Sequence, residues 1–192
     1  MNWSSGYDQL IKWIEERMEH KQQIILAIDG RCGSGKTSLA SRLQTLYPAR
    51  VLHMDDFYLP FEKRKANWEQ IPGGNMDFER FMKEALLPAV KGENIAYRPY
   101  RCQKGGLLEQ TLLEPMPLTI VEGSYALYPT LADYYDFKVF LSCSKEAQCE
   151  RIEAREGVRY SQFLARWIPM EEAYFKALSI EEKNDLYIDT SR

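Results

Sequence analysis

The sequence predicts an α/β fold, a three-layer α/β/α sandwich around a mostly parallel sheet of about five strands. Short, nearly continuous apolar runs alternate along the chain with amphipathic stretches. Such apolar runs are typical of strands buried on both faces of a parallel sheet, and the amphipathic stretches supply the crossover helices. Because ligands of these sheets bind beyond the carboxyl ends of the strands, we expect functional residues to follow the apolar runs.

Hydrophobic periodicity locates the individual elements. Apolar runs predict strands at 22–29, 49–54, 117–122, 137–142 and 185–189. Apolar residues at helical spacing predict helices at 3–20, 36–46, 77–90, 145–156 and 160–178, the first being an N-terminal amphipathic helix within 1–20. Pro169 is expected to kink or break the last helix. Segment 94–115 carries short alternating runs around Gly105 and Gly106, which predict a hairpin over the acceptor site on the active-site face.

Composition indicates one globular domain spanning 1–192. Of the 192 residues, 45% are hydrophobic and 28% are charged, which suffices for a buried core. The net charge of −3 lacks the basic excess of nucleic-acid-binding proteins, and no apolar stretch is long enough to span a membrane. We therefore expect a cytoplasmic protein with no nucleic acid and no membrane as partner, while a homo-oligomer stays open. The spacing of the four cysteines predicts free thiols, and His20 and His53 are expected to be solvated or structural.

The most specific motif is Gly30-Arg31-Cys32-Gly33-Ser34-Gly35-Lys36-Thr37, which satisfies GxxxxGK[ST] between a predicted strand and a predicted helix. Glycines allow the loop to curl its backbone N–H groups around a polyphosphate, and the helix N-terminus adds positive charge. We therefore predict that residues 30–38, ending with Ser38, bind ATP. Lys36 is expected to reach the β- and γ-phosphates, the Thr37 hydroxyl to bind Mg²⁺, and Cys32 to act through its backbone.

A second motif, Met54-Asp55-Asp56-Phe57-Tyr58, follows the second predicted strand. A carboxylate here can take the proton from an attacking hydroxyl, and an aromatic ring three residues later can line an acceptor pocket. Consecutive residues that leave a strand point to opposite sides, so only one of Asp55 and Asp56 is expected to face the acceptor. The alternative is that both residues only cap a turn.

A third motif ends the strand predicted at 117–122 with Glu122 and Gly123. This position suits a water-mediated contact of Glu122 to Mg²⁺, and the alternative is a carboxylate in a turn. A mechanical ATPase would usually end this strand in Asp or Asp-Glu, and the DxxG and [NT]KxD elements of GTP-driven switches do not occur in the expected places. These features favour a kinase, with a non-kinase P-loop NTPase and an inactive nucleotide-binding module as alternatives.

Arginines approach a glycine-containing break in the segment 151–166. Arg155 and Arg159 are expected to belong to a lid that closes over phosphates and expels water, and Arg151 is expected to contact the acceptor. The alternative is an ordinary solvated helix face, because charged residues on helices are usually exposed.

Taken in order, GRCGSGKT, MDDFYLP, IVEGSYALY and the arginine-bearing segment resemble the uridine kinase branch of P-loop kinases. That branch also includes relatives of phosphoribulokinase, pantothenate kinase and nicotinamide riboside kinase. The resemblance covers about residues 22–189 and implies the P-loop kinase fold with a five-stranded parallel core. It also implies ATP as phosphoryl donor and a nucleoside or similar alcohol as the small-molecule acceptor.

The resemblance also implies roles for single residues. Asp55 matches the catalytic base, Tyr58 the aromatic residue of the acceptor pocket, and Glu122 the acid on the magnesium side. The lid arginines are matched by Arg155 and Arg159. Tyr100 is similar to the tyrosine that the family holds near the nucleoside base.

Two departures from the family concern the acceptor. Uridine kinases carry a histidine-proline-aspartate element followed by phenylalanine-aspartate, whereas 72–78 reads PGGNMDF and leaves Asp77 as the candidate ribose-binding acid. The histidine that those enzymes set against the pyrimidine has no counterpart after Tyr100. Pantothenate, nicotinamide riboside and a sugar phosphate therefore stay as alternatives to a nucleoside.

Overall fold

Strands and helices alternate along residues 5–191, the part of the chain that the computed structural model describes. The strands are β1 (Ile24–Gly30), β2 (Ala49–His53), β3 (Ile95–Tyr97), β4 (Tyr100–Arg101), β5 (Gly106–Leu107), β6 (Thr111–Leu113), β7 (Leu118–Glu122), β8 (Phe137–Ser142) and β9 (Leu186–Asp189). The α-helices are α1 (Ser5–His20), α2 (Lys36–Leu46), α3 (Phe78–Phe81), α4 (Leu87–Lys91), α5 (Lys145–Glu156), α6 (Tyr160–Gln162) and α7 (Ile168–Leu178).

Five of these strands form one parallel sheet in the order β2-β7-β1-β8-β9. Every residue of β1 and β7 is buried, as the continuous apolar runs in the sequence require. Successive side chains of β1 alternate between two apolar cores: Leu26 and Ile28 pack with α1 and α2, whereas Ile25 and Ala27 pack with the opposite layer. The predicted α/β/α fold with a five-stranded sheet is confirmed.

The N-terminal helix covers the edge of this sheet. Tyr7, Leu10 and Ile14 of α1 are buried, and Trp13 stacks on Phe137 of β8 with ring centroids 4.3 Å apart. The helix was predicted to begin at residue 3, and that residue lies outside the described range. The apolar face of α1 therefore forms part of the core and is not exposed.

Two long helical segments accommodate a proline through a π-helical turn. Met82–Leu86 and Phe163–Trp167 are π-helical, and each is followed by an α-helix with a proline in its first turn, Pro88 or Pro169. Proline has no N–H group and crowds the carbonyl four residues earlier, so a local i→i−5 pattern relieves the conflict. The expected kink at Pro169 takes this form, and the backbone stays helical from Tyr160 onward.

A pair of short antiparallel ladders leaves the sheet between α4 and β7. β3 pairs with β6, and β4 pairs with β5 around a turn that includes Gly105. This hairpin lies beside the carboxyl ends of the strands, because Tyr97 and Arg101 both contact Asp56, which follows β2.

Residues 5–191 contain no candidate membrane span, no candidate metal cluster and no disulfide. None of the helices there combines the length and the apolar character needed to cross a membrane. No group of three or more His, Cys, Asp or Glu side chains is arranged to hold a metal ion. The four cysteines of this range are free thiols.

A buried carboxylate ties three elements together where β1 ends. Asp29 accepts hydrogen bonds from the Gly30 N–H at 2.7 Å, the Leu127 N–H at 2.9 Å and the Tyr174 hydroxyl at 2.8 Å. Burial raises the pKa of Asp29 from 3.8 to about 6, and the hydrogen bonds from Leu127 and Gly30 together with the charge of Lys36 offset part of that rise. Asp29 is thus more easily protonated in the folded chain than in the unfolded chain.

We predict a pH-dependent contribution of Asp29 to stability. Because its pKa is raised on folding, this contribution is fully present below the unfolded pKa of 3.8 and is lost as the pH rises through about 6. The free energy of unfolding of wild type minus that of Asp29→Asn should fall by roughly 2 kcal/mol between about pH 4 and about pH 7. Urea unfolding at several pH values measures this difference, with Asp133→Asn as the exposed control. A difference that does not change with pH would contradict the raised pKa.

Candidate active site

The glycine-rich loop connects β1 to α2 and forms an open curl of backbone N–H groups. Gly30, Gly33 and Gly35 have φ values of 134°, 77° and 94°. A Cβ atom at Gly30 would lie 1.9 Å from the Leu141 carbonyl oxygen, so only glycine fits where β1 passes beside β8. No side chain caps the start of α2 at Lys36, which leaves its first N–H groups available to an anion.

Lys36 and Thr37 project from the first turn of α2 toward the strand ends. Lys36 Nζ donates to the carbonyl oxygens of Gly30 at 2.6 Å and Arg31 at 3.1 Å, which holds the ammonium group over the loop. The Thr37 hydroxyl lies 3.2 Å and 3.3 Å from the two carboxylate oxygens of Glu122. Hydroxyl and carboxylate oxygens are ligands that Mg²⁺ accepts, so this pair fits the predicted metal position.

Glu122 also contacts His53, which was expected to be solvated or structural. His53 and Glu122 end the neighbouring strands β2 and β7 at the same register, and His53 Nδ1 lies 2.5 Å from Glu122 Oε1. The hydrogen bond that His53 makes to the Glu122 carboxylate raises the pKa of His53, against the opposing effect of burial. His53 is therefore paired with a residue of the candidate site rather than simply solvated. The pairing could have been suspected from the position of His53 at the end of a predicted strand, because strand ends meet at one edge of a parallel sheet.

Two cavities meet at this edge of the sheet. The first, here called the loop cavity, has a volume of about 470 Å³ and is lined by Gly33, Gly35, Lys36 and Ser38 of the loop. The second, here called the hairpin cavity, has a volume of about 840 Å³ and is lined by residues 100–103 of the hairpin. Their shared wall includes Thr37, Asp55, Tyr58 and Glu122.

Asp55 and Asp56 have different surroundings. Asp55 is exposed, lines both cavities and accepts a hydrogen bond of 2.7 Å from the Tyr58 hydroxyl. Asp56 is buried and accepts from the Tyr97 hydroxyl at 2.8 Å and from Arg101 at 2.5 Å. The two residues lie in a 3-10 turn, Met54–Phe57, rather than in an extended strand. They diverge because of this turn and not because of strand alternation, which was the predicted cause.

Two residues of the predicted nucleotide-binding loop, Arg31 and Ser34, do not line the loop cavity. Arg31 was predicted to bind ATP, but its guanidinium donates to Glu172 at 2.7 Å and to Ser142 at 2.7 Å and also contacts Glu181. Only its backbone belongs to the loop. Ser34 is buried, and its backbone carbonyl accepts from Thr190 at 2.9 Å.

Both backbone polar groups of Cys32 are hydrogen-bonded to side chains from two helices. The Cys32 N–H donates to Glu171 Oε2 at 2.9 Å, and the Cys32 carbonyl accepts from Gln148 Nε2 at 3.0 Å. Burial raises the pKa of the Cys32 thiol far above its usual value, so the thiol stays neutral. As expected from the sequence, Cys32 contributes its backbone to the loop.

Glu171 is a site residue that the sequence analysis missed. It is buried, lines the loop cavity, and also accepts a hydrogen bond from the Ser124 hydroxyl. A carboxylate here occupies a loop N–H group of the kind that binds phosphate oxygens in such loops. In the sequence, Glu171 reads as one of several acids in a helix 139 residues after Cys32, which gave no signal.

The predicted lid arginines flank a glutamate. Arg155 lies 2.9 Å and Arg159 lies 2.7 Å from the carboxylate oxygens of Glu156. Both arginines are exposed; Arg155 lines the loop cavity, and Arg159 lines the hairpin cavity. Each can thus reach a different cavity, although both are held by one acid.

Two predicted acceptor contacts have structural partners instead. Arg151 donates to the carbonyl of Gly33 at 3.2 Å and to the Thr190 hydroxyl at 3.0 Å, so it connects the loop to the chain after β9. Asp77 caps α3 by accepting from the Arg80 N–H at 3.0 Å. Neither residue lines the loop cavity or the hairpin cavity. Tyr100 does line the hairpin cavity.

Comparisons with known proteins find kinases. No protein-family model matches the chain. It is 25% identical over 151 residues to uridine-cytidine kinase C of Dictyostelium discoideum, covering 74% of this chain but only 32% of that protein. It is 26% identical over 141 residues to uridine kinase of Ureaplasma parvum, covering 67% of each.

Solved structures share the fold at lower identity. A protein from Bacillus stearothermophilus described as a possible uridine kinase has a TM-score of 0.67 at 20% identity, covering 94% of this chain and 100% of that one. D-glycerate 3-kinase from Cryptococcus neoformans has a TM-score of 0.64 at 14% identity, covering 86% and 87%.

The sheet order and the glycine-rich loop between β1 and α2 give the chain the fold of P-loop kinases. Among proteins of this class, the chain is similar in sequence to curated uridine kinases.

We predict that Glu171→Gln strengthens the binding of MgATP. The amide keeps an oxygen that can accept from the Cys32 N–H, but it removes a negative charge that repels the phosphates. We expect a gain of about tenfold in affinity, which corresponds to about 1.4 kcal/mol. Isothermal titration calorimetry measures this, and Glu172→Gln is the matched control because Glu172 pairs with Arg31 outside the loop cavity. Weaker MgATP binding by Glu171→Gln would rule out repulsion as the effect of this carboxylate.

Proposed function

We propose that this chain transfers the γ-phosphoryl group of MgATP to a hydroxyl of a nucleoside or a related small alcohol. The observation that carries the proposal is the position of Asp55 in the wall that the loop cavity and the hairpin cavity share. A phosphoryl donor in the first cavity and an alcohol in the second would meet at this carboxylate.

The loop cavity has the features of a donor site. The uncapped N-terminus of α2 and the curled loop offer N–H groups to phosphates, and Lys36 adds a positive charge held over the loop. Thr37 and Glu122 would hold Mg²⁺, Glu122 directly or through water. When bound, this ion offsets the charge that develops on the transferred phosphoryl group.

Asp55 has the position of a general base. Its carboxylate would accept the proton of the acceptor hydroxyl while the hydroxyl oxygen forms a bond to the γ-phosphorus. The bond from the γ-phosphorus to the bridging oxygen breaks, and ADP leaves. The Tyr58 hydroxyl donates to Asp55 at 2.7 Å and so orients the carboxylate. Burial and the neighbouring Asp55 raise the pKa of Tyr58, so the phenol stays a donor.

Arg155 and Arg159 would act as lid arginines. Both are exposed and flank Gly157, whose φ of 54° marks the end of α5. The arginines of the ion pairs with Glu156 are exposed, so these pairs contribute little to stability. One guanidinium group could therefore leave Glu156 and form a charge-assisted hydrogen bond to a phosphate.

A nucleoside is the first candidate acceptor because aromatic side chains line the hairpin cavity. Tyr58, Tyr100, Phe163 and Trp167 offer flat surfaces to a planar base, and the curated relatives are named uridine kinases. Asp77, the predicted ribose-binding acid, caps a helix instead, so uridine itself loses one supporting contact. Pantothenate, nicotinamide riboside or a sugar phosphate remain candidates among small alcohols.

The decisive comparison is between the two adjacent aspartates. We expect Asp55→Asn to bind MgATP with nearly wild-type affinity and to lose transfer by about 10²- to 10⁴-fold, the usual contribution of a general base. Asp56→Asn should affect stability through Tyr97 and Arg101 but should reduce transfer far less in the folded protein.

A coupled assay of ADP formation with nucleosides and the other candidate alcohols measures transfer, and calorimetry measures MgATP binding. Melting temperatures separate loss of folding from loss of chemistry. If a folded Asp55→Asn protein kept its transfer rate, Asp55 would not be the base and the proposal would fall.

A further inference from the structure

The outer wall of the hairpin cavity is rich in arginine. The arginines that line it are Arg64, Arg101, Arg159 and Arg166. Arg101 pairs with the buried Asp56, and Arg159 pairs with Glu156. Arg64 has no carboxylate within ion-pair distance in the range 5–191, so its charge is not compensated by a described side chain.

Arg64 is held in a fixed orientation. Its Nε donates to the Leu59 carbonyl at 2.9 Å, and its guanidinium carbon lies 4.1 Å from the ring centroid of Phe61 and 4.6 Å from that of Trp68. Its second terminal nitrogen lies 3.5 Å from Cys102 Sγ, which is a weak acceptor. The remaining terminal nitrogen is buried and has no hydrogen-bond partner among the described residues.

Arg166 stands against the same tryptophan. Its guanidinium carbon lies 4.8 Å from the ring centroid of Trp68 and 5.2 Å from that of Trp167. Its ion pair with Glu69 joins two side chains that are 41% and 48% exposed, and pairs of this kind contribute little. Arg166 Nε is also buried without a partner in the described chain. Two guanidinium groups around one indole ring thus have unused donors.

The cavity is polarised along its length. Asp55 and Glu122 lie at the end near the loop, whereas Arg64 and Arg166 stand on Trp68. Tyr58 and Cys102 also line the cavity, with Tyr58 in contact with Asp55 and Cys102 in contact with Arg64. A volume of about 840 Å³ is in the range of sites for small organic molecules.

We propose that the acceptor is an alcohol that carries a phosphate or carboxylate group, with Arg64 and Arg166 binding that group while the hydroxyl lies at Asp55. This inference rests on the proposed function and narrows it, because a neutral nucleoside leaves the charge of Arg64 without an anion and Arg166 with only its exposed ion pair to Glu69. A planar guanidinium matches the oxygens of phosphate and carboxylate in two-bond contacts. An oxyanion in the cavity would therefore offset a guanidinium charge that no described carboxylate compensates.

The first experiment compares acceptors that differ only in the anionic group. The pairs are ribose and ribose 5-phosphate, glycerol and glycerate, and panthenol and pantothenate, with uridine as the neutral nucleoside. We expect one anionic member to have a kcat/KM at least about 100-fold above its neutral partner, because a site built for a polar group rejects an analogue that lacks it. The pair that responds distinguishes phosphate from carboxylate.

The variant Arg64→Gln tests the assignment. It should abolish the preference for the anionic member mainly through a higher KM and leave the affinity for MgATP unchanged. Lys65→Gln is the matched control, because it removes the same charge from an exposed neighbour that does not line the cavity. A neutral acceptor that performs equally well, or a preference that survives Arg64→Gln, would overturn the inference while leaving the kinase proposal intact.

A binding measurement covers the case in which none of these alcohols is phosphorylated. Inorganic phosphate is titrated into the protein saturated with a nonhydrolysable ATP analogue, and tryptophan fluorescence is recorded, since Trp68 and Trp167 contact the two arginines. We expect a saturable change in wild type and Lys65→Gln that is lost in Arg64→Gln. No saturable change in wild type would overturn the subsite. Binding through Arg64 without transfer to any alcohol would retain the subsite and count against the proposed function.

Discussion

Three donors converge on the carboxylate of Asp29 at the point where β1 passes into the glycine-rich loop. They come from the loop itself, from the segment after β7 and from α7, so one buried acid fixes the relative positions of these parts. Its neighbour Gly30 lies so close to β8 that no side chain fits. This junction helps to position the loop N–H groups, Lys36 and Glu171. Burial raises the pKa of Asp29, so its ionised form costs stability at neutral pH. Local costs of this kind are common at functional sites.

The candidate site separates charge within a small volume. Glu122 and Asp55 stand where a metal ion and a hydroxyl would meet, and Glu171 occupies a loop N–H group that a phosphate would use. Phosphates would bind beside these carboxylates only if positive charge were also present. Lys36 and the N-terminus of α2, which face the same cavity, supply that charge. The arginines on the outer wall face the second cavity, so the two ligands would be distinguished by position as well as by shape.

Features with a local signature were predictable from the sequence, and features made by tertiary contacts were not. The strands, the boundaries of α2 and α5 and the loop all follow from periodicity and glycine spacing. The side-chain partners of Arg31 and Arg151 could not be predicted, because a motif fixes the backbone but not the direction of a side chain. Arg31 pairs with Glu172, and Arg151 donates to Thr190 after the last strand. Glu171 and the pairing of His53 with Glu122 needed the fold before they could be recognised.

If the chain is a kinase of this class, its formation of ADP depends on an alcohol acceptor. The most direct measurement follows ADP by a coupled assay and the phosphorylated acceptor by mass spectrometry in the same reaction. A kinase of this kind produces the two in equal amounts and forms almost no ADP without the acceptor, because closure over both ligands excludes water from the phosphoryl group. Rapid ADP formation that is independent of every acceptor, with inorganic phosphate as the other product, would identify an ATPase and contradict the account.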